Sequence, residues 1–149
     1  MRSNDFFWNR NSYVYALDIA SKLFTKVGDS SQASKCDSTK SAVQATLNGH
    51  WTGTFMQESS NRQKDSSVIH AFSSFGAYSL TDDKIAKTID VFGLTFCAEY
   101  QINQDDNKKN IPGVLLGRYP GDSYAGGNPW QLLTASLAKI FYQGASALS

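Results

Sequence analysis

The sequence predicts an all-α chain, and three observations carry that expectation. Apolar residues recur at three- and four-residue intervals through most of the 149 residues. Those periodic segments are bracketed by residues that start and stop helices. No stretch shows convincing apolar–polar alternation over the length of a strand. No self-similar period accompanies the helices, which argues against a repeat array. Successive helices with wide apolar stripes suit a bundle or a double-layered helical barrel, and periodicity alone does not choose between them.

The first helix follows Asn4 or Asp5 as cap. Its stripe is Tyr13, Leu17, Ala20, Phe24 and Val27, widened by Ala16, Ile19 and Leu23, and Gly28 stands where a left-handed C-cap belongs. A stripe this wide predicts packing on more than one neighbour. A second, more polar helix starts at Ser30 or Ser31, buries Ala33, Cys36, Val43 and Leu47, and closes at His50-Trp51. Residues 52–64 form a polar loop. A short apolar helix covers about 66–75 and ends at Gly76. Thr81 caps the next, with Asp82 and Asp83 favourably placed in its first turn and a stripe of Ile85, Ile89, Phe92 and Phe96 reaching Tyr100. Residues 103–112 read as a loop, and 117–127, dense in glycine, proline and tyrosine, as a structured one. Asn128-Pro129 opens the last helix, which buries Trp130, Leu133, Leu137, Ile140 and Phe141.

A chain of this length is ordinarily one domain that buries roughly two-thirds of its unfolded surface. A net charge of +1 gives no electrostatic reason to expect nucleic acid or an anionic membrane as partner, and no apolar run is long enough to span a bilayer. Aromatic residues at 13% with charged residues at 18% suit a sugar binder and an aromatic core equally well. The N-terminus has no uninterrupted apolar stretch of the signal-peptide kind, and Asn-x-Ser/Thr is absent. Cys36 and Cys97 are too few for a disulfide framework or a zinc site; they pair with each other, pair elsewhere, or stay free.

Few residues offer catalytic chemistry. Asp82 and Asp83 serve a helix start, Asp105 and Asp106 lie in a polar loop, Glu58 lies in another, and Glu99 flanks an apolar stripe. Gly121-Asp122-Ser123-Tyr124-Ala125 has the outline of a serine nucleophile elbow. Arg118-Tyr119-Pro120 precedes it instead of a strand, however, and no helix follows directly, so a serine esterase is not expected. His50 and His70 lack metal-ligand spacing, His70 reads as a hydrogen-bonded core residue, and neither metal nor cofactor is expected. The segment 117–130 places Arg118, Asp122, Tyr119, Tyr124 and Trp130 on one loop entering a helix. Planar hydrogen-bonding groups for vicinal hydroxyls, with aromatic faces for the ring, are what a sugar requires. A structural loop, with Arg118 and Asp122 paired and the rings in the core, fits the same residues.

That segment, Gly-Arg-Tyr-Pro-Gly-Asp-Ser-Tyr-Ala-Gly-Gly-Asn-Pro-Trp, resembles over fourteen ungapped positions the signature of the glucoamylases, the family 15 glycoside hydrolases. Lys64-Asp65-Ser66-Ser67-Val68-Ile69 is similar to that family's Lys-Asp-x-Ser/Thr-x-Leu helix start. Met1-Arg2-Ser3-Asn4-Asp5-Phe6-Phe7 is similar to the stretch after its Trp-Glu-Glu. The resemblance implies that residues 1–149 are a single partial catalytic domain, about five helices of an (α/α)6 barrel. It implies a secreted, inverting, exo-acting enzyme that releases glucose from the non-reducing ends of starch-like α-glucan. It further implies that Arg118 contacts the glucan through its guanidinium and carbonyl, that Asp122 stands near the leaving-group sugar, that Trp130 forms a pocket wall, and that Tyr119 and Tyr124 surround the same pocket. Gly121 replaces the family's glutamate, so the site beyond the scissile bond is expected to bind its sugar less tightly. By this register the general acid falls just before Met1 and the general base after Ser149, which leaves no catalytic residue in the chain. The missing remainder of the barrel is the implied partner, and its absence is expected to expose apolar helix faces well beyond the few hundred Å2 usual for a soluble monomer. The alternative is a non-catalytic helical module that binds carbohydrate or protein through the 118–130 loop.

Overall fold

A computed structural model describes residues 5–148, and for Leu148 the backbone only. It contains helices α1 (Phe7–Lys26), α2 (Ser30–Thr46), α3 (Ser67–Phe75), α4 (Asp83–Glu99), α5 (Gln101–Lys108) and α6 (Gln131–Leu148). Among the described residues there is no strand, only isolated antiparallel bridges at Trp51–Met56 and Ser59–Arg62. The all-α expectation holds.

The start of α1 is held from far away in sequence. Phe6 occupies the cap position without a side-chain cap bond, and Asn4 lies outside the described residues. Asp5 turns instead to Arg10 at 2.7 Å and to His50 at 3.2 Å. The free N–H groups of the first turn go to Glu58. Phe7 N donates to its carbonyl at 2.9 Å, and Trp8 N donates to its carboxylate at 3.1 and 3.3 Å. Gly28 ends the helix at φ +83°, and Asp29 caps α2 by accepting Gln32 N at 3.0 Å.

The buried line of α1 is Phe7, Asn11, Val14 and Ser21, not the expected stripe. Leu17, Ala20 and Phe24 are half-buried, while Tyr13, Ile19, Leu23 and Val27 are exposed, Val27 at 67%. The helix packs along α2 and against α3, as two neighbours require. The line facing them carries Asn11 and Ser21, so close approach selects it over the more apolar flank.

Two other helix starts move by a residue or two. α4 is capped by Asp82, which accepts Lys84 N at 2.8 Å, while the Thr81 hydroxyl bonds Ser79. α6 begins at Gln131, after Trp130, and the Asn128 amide donates to the Ala125 carbonyl at 3.0 Å rather than capping. Phe141, expected inside, is 59% exposed, and Tyr142 beside it 79%.

The loop expected at residues 103–112 begins instead as α5. Its anchor is Asn103, 4% exposed, whose amide donates to the carbonyls of Phe96 and Leu115 and accepts Leu115 N, each at 2.9 Å. Polar contacts from Gln101 and Lys108 to Asp105 support the outer face. α3 packs on α6, and one core joins α1, α3, α4 and α6 through residues such as Phe7, Ile69, Phe92, Phe96 and Leu137. Leu116 in that core fixes the irregular segment that delivers the 117–130 loop.

Candidate functional site

The 117–130 loop is fastened at both ends. Leu116 N donates to Thr134 Oγ1 at 3.0 Å, and Trp130 N donates to the Leu116 carbonyl at 2.8 Å, so the loop leaves and returns at one point on α6. Ser66 N donates to the Arg118 carbonyl at 2.7 Å, which ties the loop to the start of α3. Gly117 lies so close to Tyr100 that a Cβ there would overlap the phenol oxygen. Gly121 has φ +75°, a backbone conformation that favours glycine, and its N–H donates to Glu99 at 2.8 Å.

Arg118 and Asp122 form a two-pronged ion pair, Nε to Oδ2 at 2.6 Å and Nη2 to Oδ1 at 2.7 Å. The Asp122 side chain is 4% exposed. The Arg118 bonds hold its carboxyl down to about 2, with the Tyr124 N–H helping, and the same pairing raises Arg118. The guanidinium also lies 4.6 Å from the Tyr124 ring centroid, 5.2 Å from Trp130 and 5.3 Å from Tyr119. The Tyr124 and Trp130 rings are 6.0 Å apart. A charge so fixed by a carboxylate and three rings cannot wander, and its Nη1 donors remain uncommitted among the described residues.

Arg118, Tyr119 and Trp130 line one cavity of about 450 Å3, together with Trp8, Glu58 and Asp65. Asp122 and Tyr124 are not on its wall. Asp122 stands behind the guanidinium and orients it, and Tyr124 is 61% exposed on the outer side of the loop. Arg62 lies at the rim, 4.4 Å from the Tyr119 ring and 3.4 Å from Asp65.

Glu58, placed by its sequence in a polar loop, lies buried on the wall of this cavity. It is 4% exposed, and burial raises its pKa from 4.5 to about 7. The Trp8 N–H and Arg62 pull in the opposite direction, and Asp65 adds to the rise. Nothing in local sequence marks a loop glutamate as the distant cap of a helix 50 residues earlier. Asp65, within the Lys-Asp motif, accepts Ser67 N at 3.0 Å and so starts α3.

Other candidates fall away from the site. Ser123 is exposed, and neither histidine serves it. The His70 Nδ1–H donates to Ser136 Oγ at 3.0 Å, since that hydroxyl spends its own proton on the Leu132 carbonyl, and His50 bonds Gln57. Both histidines are lowered by burial. Cys36 and Cys97 are free thiols. Among the described residues no three His, Cys, Asp or Glu side chains gather as metal ligands.

Comparison with known proteins agrees with the motif. The chain is 32% identical over 84 residues to a protein named "Glucoamylase" from Blastobotrys adeninivorans, covering 51% of this chain and 13% of that one. It is 37% identical over 71 residues to "Glucoamylase, intracellular sporulation-specific" from Saccharomyces cerevisiae, covering 44% and 13%. It is 27% identical over 119 residues to "Glucoamylase-1" from Arthroderma benhamiae, covering 72% and 19%. The matched stretches therefore span less than a fifth of these relatives. No solved structure matches significantly. The sequence pattern described as "Glycosyl hydrolases family 15" covers residues 4–148, and the chain belongs to that family.

Proposed function

We propose that this chain is an internal part of an inverting, exo-acting α-1,4-glucan hydrolase, and that the cavity beside the 117–130 loop is part of its glucose-binding pocket. The observation that carries the reading is the shared cavity: a guanidinium locked by Asp122 and an indole border one concave space on a loop of the family's signature. Arg118 offers donors to sugar oxygens, Trp130 and Tyr119 offer ring surface, and Asp122 acts through Arg118.

In this reading the chain supplies no catalytic pair. Inversion needs an acid and a base roughly 6.5–9.5 Å apart with a water between them. Asp122 is committed to Arg118, and Asp65 to the α3 cap and Arg62. Glu58 has a suitably raised pKa but holds the start of α1, with no free partner carboxylate on the cavity wall. The exposed Leu23, Val27, Phe141 and Tyr142 are the faces on which further barrel helices would pack. Export of the whole enzyme belongs to the same reading, although one relative is named as intracellular.

The test is to incubate and titrate the purified 149-residue chain with maltose and maltotriose. Binding that Trp130→Ala abolishes, with no glucose released, is the expected result. Glucose release would overturn the missing-pair argument. Binding that is indifferent to Trp130→Ala would remove the pocket.

A further inference from the structure

Glu58 is under-solvated in a way the fold does not resolve. A carboxylate has about four acceptor sites. Here the Trp8 N–H, shared between Oε2 at 3.1 Å and Oε1 at 3.3 Å, is the backbone donor it receives. The surrounding charges are Arg62 and Asp65, and Arg62 is turned toward Asp65 and the Tyr119 ring. The Ser67 hydroxyl is the side-chain donor near the carboxylate, and it pulls the Glu58 pKa down. The hydroxyls of Ser59 and Ser66, flanking Glu58 and Ser67 in sequence, are buried without partners. Of these serines Ser67 lines the cavity with Glu58, and a carboxylate with so few donors leaves this wall short of hydrogen-bond partners.

Both Glu58 and Ser67 line the cavity with Arg118 and Trp130. What the Glu58 carboxylate lacks is further donors beside the Ser67 hydroxyl, and adjacent sugar hydroxyls supply closely spaced O–H donors of that kind. We propose that Glu58 is a second sugar-recognising group of this pocket, its ionised carboxylate accepting hydroxyl hydrogens of the glucan residue that Arg118 and Trp130 contact. The proposal rests on the glucan-pocket reading above and adds a residue that the family signature does not contain.

Linkage gives it a signature that a purely structural cap would lack. Donors supplied by the sugar favour the charged carboxylate, so binding lowers the Glu58 pKa and releases a proton near pH 7. Affinity then rises with pH, and each unit by which the pKa falls strengthens binding about tenfold between the acid and alkaline limits. Burial lowers both His50 and His70, and His50 faces Asp5 and Gln57 while His70 faces Ser136 and Lys139. Neither lines the cavity.

Calorimetric titration of the 149-residue chain with maltotriose at pH 7, in two buffers of different ionisation enthalpy, counts the protons released and needs no variant. The expected result is a fractional proton released per sugar bound, with affinity rising about tenfold from pH 5.5 to 8.5. Glu58→Gln, whose amide oxygen still accepts the Trp8 N–H, is expected to abolish both effects. Maltotriose binding with no proton release and no pH dependence would overturn the role of Glu58 while leaving the pocket intact, as would release that persists in Glu58→Gln. Failure of the wild-type chain to bind maltotriose at any pH would overturn the glucan-pocket reading and this inference with it.

Discussion

Replacing Glu58 with glutamine should make the chain more stable at alkaline pH, although it removes a buried hydrogen-bonding acid. Burial lifts the Glu58 pKa from 4.5 to about 7, so between those values the native chain holds a proton that the unfolded chain has lost. Stability linked to this group is fully present below pH 4.5 and falls as pH rises through 7. A shift of about 2.5 units at about 1.4 kcal/mol each amounts to about 3 kcal/mol. That is a large share of the roughly 5–15 kcal/mol that holds an ordinary domain together. His50 and His70 work in the opposite sense: burial lowers both, so their contribution is present above 6.5 and lost as pH falls. Subtracting the variant from the wild type cancels them. Urea unfolding of both proteins at pH 5 and pH 8.5 provides the measurement. The wild type should lose about 3 kcal/mol relative to Glu58→Gln between the two conditions. Parallel stability curves would show that Glu58 is not a desolvated acid, and that the capping account of α1 assigns it the wrong environment.

Four further outcomes follow from particular contacts. Asp122→Asn, which breaks the charged fork on Arg118, should weaken maltotriose binding about tenfold by calorimetry with unchanged far-ultraviolet circular dichroism. Because Arg118 holds the Asp122 carboxyl at about 2, the fork's contribution should persist through pH 4 and vanish only as pH falls through about 2, seen in the Arg118 Nε–H resonance. Asn103→Ala removes three buried hydrogen bonds and should cost about 3 kcal/mol, with loss of exchange protection at the Leu115 amide. Gly117→Ala should destabilise by about 2 kcal/mol through overlap with Tyr100, and Tyr100→Phe should recover part of that loss; strict additivity would contradict the contact.

The helical class and the Gly28 and Gly76 stops are legible in sequence because each rests on local chemistry, and residues 117–127 are legible as a structured loop from their glycine, proline and tyrosine content. What escaped rests on distant partners. α5 is polar and has no apolar stripe; it forms because Asn103 reaches back to Phe96 and forward to Leu115. The α1 cap is a glutamate from another loop, and no capping pattern within residues 1–10 points to it. The buried line of α1 passes through Asn11 and Ser21 because neighbouring helices need close approach there, which a count of apolar residues does not reveal. Within the candidate site, Arg118, Tyr119 and Trp130 line one cavity, while Asp122 and Tyr124 contact the arginine from outside it. Asp65 was visible as part of a motif, Glu58 was not.

In the proposed function, the cavity bordered by Arg118 and Trp130 receives an α-1,4-linked glucose chain. Nitrogen-15 correlation spectra of the labelled chain, recorded while maltotriose is added, test it at the level of the side chains. The Arg118 Nε–H and Trp130 indole N–H signals should shift together along one saturable isotherm, with the Trp51 indole unmoved. Saturable shifts confined to other residues, with those two signals stationary, would contradict the account.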